Sequence, residues 1–116
     1  PGHGCYVPLA HDYAGAPDQL PRDEVLARLK PWLEDASRAK VGQNLKYDEH
    51  VLQNHGIRIA GIAHDTLLQS YVLEPQRTHD MDALAMRHLE RRTISYDDVT
   101  GKGAKRIGFE QVALDK

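Results

Sequence analysis

The sequence contains a single cysteine, Cys5. No internal disulfide can form, and this usage fits a reducing compartment, so a cytoplasmic setting is expected. No apolar run approaches the ~20 residues that a membrane span needs, so no membrane partner is expected. The start, PGHGCYVPLA, lacks a basic region followed by a long apolar one, as a secretory signal would have. There is no basic excess either: fifteen Lys and Arg stand against seventeen Asp and Glu, for a net charge of −2. Composition therefore sets up no global field that would announce nucleic acid. The local clusters RHLERR (87–92) and GKGAKR (101–106) read, on charge alone, as solvated surface. Several catalytic signatures are also missing. There is no GxSxG, Cys5 has no obvious activating partner, and GKG at 101–103 lacks the spacing of a phosphate loop. His3, Cys5, His11 and Asp12 lie close in sequence but match no closed zinc spacing.

What is present is the composition of one soluble domain: 116 residues, 41% apolar and 28% charged. The chain starts on Pro1 and Gly2 and stops while GFEQVALDK is setting out a helical pattern with Phe109, Val112 and Ala113 on one face. Both ends read as cuts in a longer protein.

Strand and helix signals alternate. CYVPLA (5–10) reads as a short edge strand, AKVGQ (39–43) as a second and IRIAGIAH (57–64) as a third. Pro21 opens a helix with Asp23 and Glu24 in its first turn, where the dipole favours acids. Val25, Leu29 and Trp32 or Leu33 form its expected buried stripe, and Pro31 is expected to kink or divide it. A helix over Leu45–His55 carries Tyr47, Val51 and His55 on one face and ends at Gly56, a good left-handed stop. Asp65 can cap the helix TLLQSYVL, and His79 or Asp80 caps a further helix over Met81–Arg91. Residues 93–107 read as a polar connection around a helical turn at Tyr96–Val99. The alternation predicts an α/β layered domain with some parallel pairing.

The stretch VGQNLKYD (41–48) carries the candidate chemistry, because it lies where a strand hands over to a helix. Taken singly, each residue has a plain reading. Asp48 complements the helix dipole, Tyr47 belongs to the core, and Gln43 and Asn44 cap the helix. Together they offer two amides for sugar or phosphate, an aromatic that can stack and a carboxylate that can hold a metal.

VGQNLKYD followed by GIAHDTLLQSYVL, THDMDALAMRHL, TISYDDVTGKG and FEQVAL resembles the 3′→5′ proofreading exonuclease domain of bacterial DNA polymerase I. YVPLAHDYAGAPDQL also resembles that family, so the likeness runs in order from Cys5 to Leu114. It implies a ribonuclease-H-like α/β fold and two-metal hydrolysis of a phosphodiester by Mg²⁺ or Mn²⁺, with the two ions about 3.5–4 Å apart. Residues 1–116 then form a partial exonuclease domain whose first central strand and last helix are missing.

The family draws its carboxylates from three motifs, and Asn44, Tyr47 and Asp48 match the second. The resemblance makes Asp48 the catalytic metal ligand. It puts Gln43, Asn44 and Tyr47 on the 3′-terminal nucleotides and Tyr96 where an aromatic packs on frayed bases. Arg77 is assigned to a phosphate. An Asp-x-Glu motif is expected before Pro1, and a Tyr with an Asp four residues later is expected beyond Lys116. The 116 residues alone are therefore expected to be inactive, to bind no metal ion and to self-associate. The implied partners are a single-stranded DNA 3′ end and a polymerase domain in the parent chain. A vestigial exonuclease-like module and a related 3′→5′ exoribonuclease remain as alternatives.

Overall fold

The computed structural model describes residues 2–116 and divides them into two compact units. The larger, Ala27–Thr93, is built around a two-stranded parallel sheet. Its strands are β1 (Lys40–Gly42) and β2 (Ile62–Asp65), with Lys40 opposite Ile62, Val41 opposite His64 and Gly42 opposite Asp65. The register slips between Lys40 and Val41. Parallel strands need a crossover, which helix α2 (Leu45–Gln53) supplies, and β2 passes directly into α3 (Thr66–Leu73). The α/β class and the parallel pairing follow the sequence expectation.

Before β1 runs α1 (Arg22–Leu33), which stays one helix although Pro31 lies inside it. Pro31 falls in the last turn with two helical residues after it, and its missing N–H costs the one hydrogen bond to the Ala27 carbonyl while the helix runs on to Leu33. The predicted stripe is covered only in part: Val25 and Leu33 are half-buried, whereas Leu29 is 44% exposed and Trp32 47%. Instead the chain after α1 folds back on Lys40. The Lys40 Nζ donates to the Asp35 and Arg38 carbonyls at 2.8 Å each and lies 4.8 Å from the Trp32 ring centroid. Lys40 is thereby buried with its charge hydrogen-bonded. Gly61 has φ +75°, and a Cβ there would meet the Arg38 carbonyl oxygen at 2.6 Å, so this loop and the start of β2 approach closely. Ile57 is the large apolar side chain buried in this unit. Of the expected third strand, 57–64, only 62–64 is in β2, which Asp65 extends by one residue, and 57–60 is irregular. That stretch satisfies its amides elsewhere: Ile57 N–H donates to Leu52, Arg58 N–H to Glu34 and Ala60 N–H to Leu33.

Helix α4 (Met81–Leu89) starts at Asp80, whose carboxylate accepts from the Ala83 N–H at 2.8 Å, and stops at Glu90 in the left-handed region. It is therefore two residues shorter than predicted. Glu74 pairs with Arg77 and Arg87 across the turn that precedes it.

The smaller unit joins the N-terminal stretch up to Leu26 with Ile94–Lys116. It holds α5 (Tyr96–Thr100), opened by a reciprocal Ser95–Asp98 capping box. Two short 3₁₀ turns follow, at Gly103–Lys105 and Phe109–Gln111. The helical continuation expected from GFEQVALDK is not formed, since the backbone is extended at Val112 just after the second turn. Val112 is buried, and its carbonyl lies 3.0 Å from the His11 Nδ1. CYVPLA is not a strand. It finds no ladder partner among the described residues, Pro8 offers no N–H, and Tyr6 and His11 bond through their side chains instead. No helix among the described residues is long and apolar enough to cross a membrane.

Candidate active-site segment

The carboxyl ends of β1 and β2 meet at Gly42 and Asp65, and the chain leaves β1 there through Gln43 and Asn44 into α2. Ligands of open α/β sheets bind outside such strand ends. Gly42 leaves room for the Leu45 side chain, which would have to move if residue 42 carried a Cβ. Asn44 takes φ 59° and ψ 46°, a left-handed turn that asparagine tolerates better than most residues. This turn lets β1 reverse into α2 within two residues.

Asp65 holds the turn in place. Its Oδ1 accepts from the Asn44 N–H at 3.0 Å and its Oδ2 from the Leu45 N–H at 2.9 Å, while Oδ1 also accepts from the Leu67 N–H at 3.0 Å. One carboxylate thus satisfies orphan donors at the start of both α2 and α3. Desolvation pushes the Asp65 carboxyl up, but the amides of Leu45, Asn44, Leu67 and Leu68 outweigh it, and the net direction is below the ordinary value. Sequence reading found the cap on α3 and missed the reach to α2, since a contact across twenty residues to a backbone N–H leaves no local signal.

The expected site residues sort clearly. Gln43 does not cap α2; its Nε2 donates to the His79 carbonyl at 2.8 Å. The Asn44 side chain makes no cap hydrogen bond, and its amide has no hydrogen-bond partner among the described residues. Leu45, Glu49 and Leu52 are the half-buried positions of α2, whereas Tyr47 is 69% exposed and Val51 42%. The face that carries Tyr47 and Val51 is open, and the core reading of Tyr47 is overturned. Asp48, in the first turn, is exposed and has no hydrogen-bond or ion-pair partner among the described residues. Asn44, Tyr47 and Asp48 stand at positions i, i+3 and i+4, on one open side of the helix.

Arg77 lies in the turn before α4, 3.1 Å from Glu74. Tyr96 belongs to the smaller unit, stacked on Phe109 with centroids 5.9 Å apart, and the Arg106 guanidinium lies 4.9 Å from its centroid. Among the described residues no three His, Cys, Asp or Glu side chains gather closely enough to hold a metal ion. Asp48 alone does not make a metal centre; it can serve as one ligand of a centre completed by carboxylates from elsewhere.

A family model described as a 3′-5′ exonuclease matches residues 1–114. The chain belongs to that exonuclease family. Among curated relatives, DNA polymerase I of Pseudomonas aeruginosa is 52% identical over 99% of this chain. DNA polymerase I of Rhizobium leguminosarum is 42% identical over 97% of it. That of Chloroflexus aurantiacus is 30% identical, also over 97%. The chain spans only 12–13% of the length of these relatives. For an exonuclease-family chain, the placement of the 43–48 segment at the carboxyl ends of parallel strands is the position where a site is expected.

Proposed function

We propose that this chain is part of the 3′→5′ proofreading exonuclease of a DNA polymerase I, with Asp48 as one carboxylate of its divalent-metal site. On this reading residues 1–116 are a partial exonuclease domain of ribonuclease-H-like fold in a cytoplasmic enzyme. The observation that carries it is the open face of α2. A carboxylate, an aromatic ring and a free amide share one side of a helix start at the strand ends, and none is used to hold the fold together.

Asp48 would be one of the carboxylates holding two Mg²⁺ or Mn²⁺ ions in the complete site, where they would supply activation of the attacking water and charge stabilisation at the leaving oxygen. The chain's own residues bind and orient the DNA 3′ end. Tyr47 offers an exposed ring for a base or sugar, and the Asn44 amide offers both a donor and an acceptor. Gln43 presents its amide beside them. Tyr96 supplies a second aromatic surface and Arg77 a cation for a phosphate. A polymerase region lies in the same longer protein.

The test uses the full-length polymerase, a 5′-labelled single-stranded DNA and magnesium. The parent should shorten the DNA stepwise from its 3′ end, and Asp48→Ala should reduce that rate by at least about a hundredfold. The 116-residue piece alone should show no activity. An undiminished Asp48→Ala variant overturns the assignment. A parent that shortens nothing marks a vestigial module, and one that prefers an RNA 3′ end marks an exoribonuclease.

A further inference from the structure

Gln43 and Ser70 both line an apolar groove of about 530 Å³ between α3 and α4, together with Leu73, Leu84, Ala85 and Leu89. Both are bonded to one residue. The Ser70 Oγ lies 2.6 Å from the His79 Nδ1, and the Gln43 Nε2 donates to the His79 carbonyl at 2.8 Å. His79 is only 5% exposed, and the Tyr71 ring packs on its imidazole with centroids 3.8 Å apart. Its Nε2 is the buried side-chain polar atom that lacks a partner among the described residues. A leucine would fill this volume without an orphaned nitrogen, so packing alone does not account for an imidazole here. The Ser70 contact does: it pins the side chain of a residue whose main chain must hold one orientation.

That orientation decides the chemistry of Gln43. A carbonyl only accepts, so the amide must turn its nitrogen to His79 and leave Oε1 outward. Oε1 has no hydrogen-bond partner among the described residues, and Gln43 is half-buried rather than enclosed. We infer that His79, locked by Ser70 and Tyr71, is a positioning residue that presents the Gln43 Oε1 as a fixed acceptor for a donor group on the terminal nucleotide. A sugar hydroxyl or a base amino group can donate to it, whereas an ionised phosphate cannot. The inference rests on the exonuclease reading and goes beyond it in naming which end of Gln43 reads the substrate, and what sets that end.

The test compares kcat/KM of the full-length polymerase on single-stranded DNA with three 3′ termini: an ordinary deoxyadenosine, its 3′-deoxy form, and a purine lacking the amino group. Removing the group that Gln43 reads should cost about five- to tenfold, the worth of one neutral hydrogen bond. The two altered termini tell hydroxyl from amine. Gln43→Ala and His79→Leu should abolish this discrimination to the same extent, and the double variant should be no worse than either single one. His79→Asn, whose Oδ1 can accept from Ser70 in place of Nδ1, should keep it. The readout is a ratio between substrates, so a general loss of activity leaves it unmoved. If His79→Leu does not fold, Ser70→Ala and His79→Asn carry the comparison, with Ser70→Ala expected to lose the discrimination. Full discrimination in His79→Leu or Ser70→Ala, multiplicative effects in the double variant, or no discrimination in the wild type overturns the inference. A wild-type enzyme inactive on all three termini fails the exonuclease reading itself, and the inference falls with it.

Discussion

At the scale of single residues, Asp65 is the side chain on which the candidate site depends without belonging to it. Its carboxylate ties Asn44, Leu45 and Leu67 amides to the end of β2, so it fixes where the first turn of α2, and hence Asp48, stands. Asp65→Ala should therefore destabilise the chain by about 1–2 kcal/mol, the range for losing a helix cap. The direction of the pKa shift gives a sharper test. A carboxyl held below its ordinary value of 3.8 stabilises the folded state above that value, and the contribution disappears as pH falls through the folded value. Denaturant titrations of wild type and Asp65→Ala should thus differ most near neutrality and converge below about pH 4. A gap that stays constant down to pH 3 would show that charge-assisted bonding is not the source.

At the scale of elements, the sheet is so short that the loops beside it must do part of its work. Gly61 precedes β2 at φ +75°, and its carbonyl accepts from the Lys40 N–H at 2.9 Å. The 35–38 loop lies against it, pinned by the Lys40 Nζ. Gly61→Ala should strain the backbone and push the Arg38 carbonyl away, at a cost of about 1–3 kcal/mol. Lys40→Met should cost a similar amount by leaving the Asp35 and Arg38 carbonyls short of a donor. Thermal melts check both, and wild-type stability in Gly61→Ala would refute the close approach.

These elements also show what could be read beforehand. Helix starts were legible because caps are local: Asp65 and Asp80 bond to amides two and three residues on, and Gly56 takes φ +74° where a left-handed stop was expected. Helix faces were not. A periodic stripe marks apolar residues but not whether anything covers them, and Leu29, Trp32, Tyr47 and Val51 are open. The 43–48 segment was singled out by its motif, whereas the bond from Gln43 to the His79 carbonyl spans thirty-six residues and leaves no local signal.

At the scale of the whole molecule, the decisive feature is apolar surface left without a covering. Helix α3 is the clearest case: Leu68 is 61% exposed, Tyr71 52%, Val72 86% and Leu73 71%. Burying one such Val or Leu fully is worth roughly 1.5–3 kcal/mol, so leaving several open is a strong drive to associate. Relatives eight times longer carry ample further chain to cover this face. The 116-residue piece should consequently associate as its concentration rises, and Val72→Lys together with Leu73→Lys should restore a monomer by removing the face without touching Asp65 or Asp48. In the full-length protein the same pair of lysines should act in the opposite sense, lowering the melting temperature of the exonuclease region because the positions are covered there. Sedimentation velocity on the piece and thermal melts on the parent together decide the matter. Association abolished in the piece with stability lost in the parent locates the missing partner of α3 within the longer chain. A monomeric wild-type piece at high concentration, or a parent indifferent to both lysines, would mean that α3 faces water in the working enzyme as well.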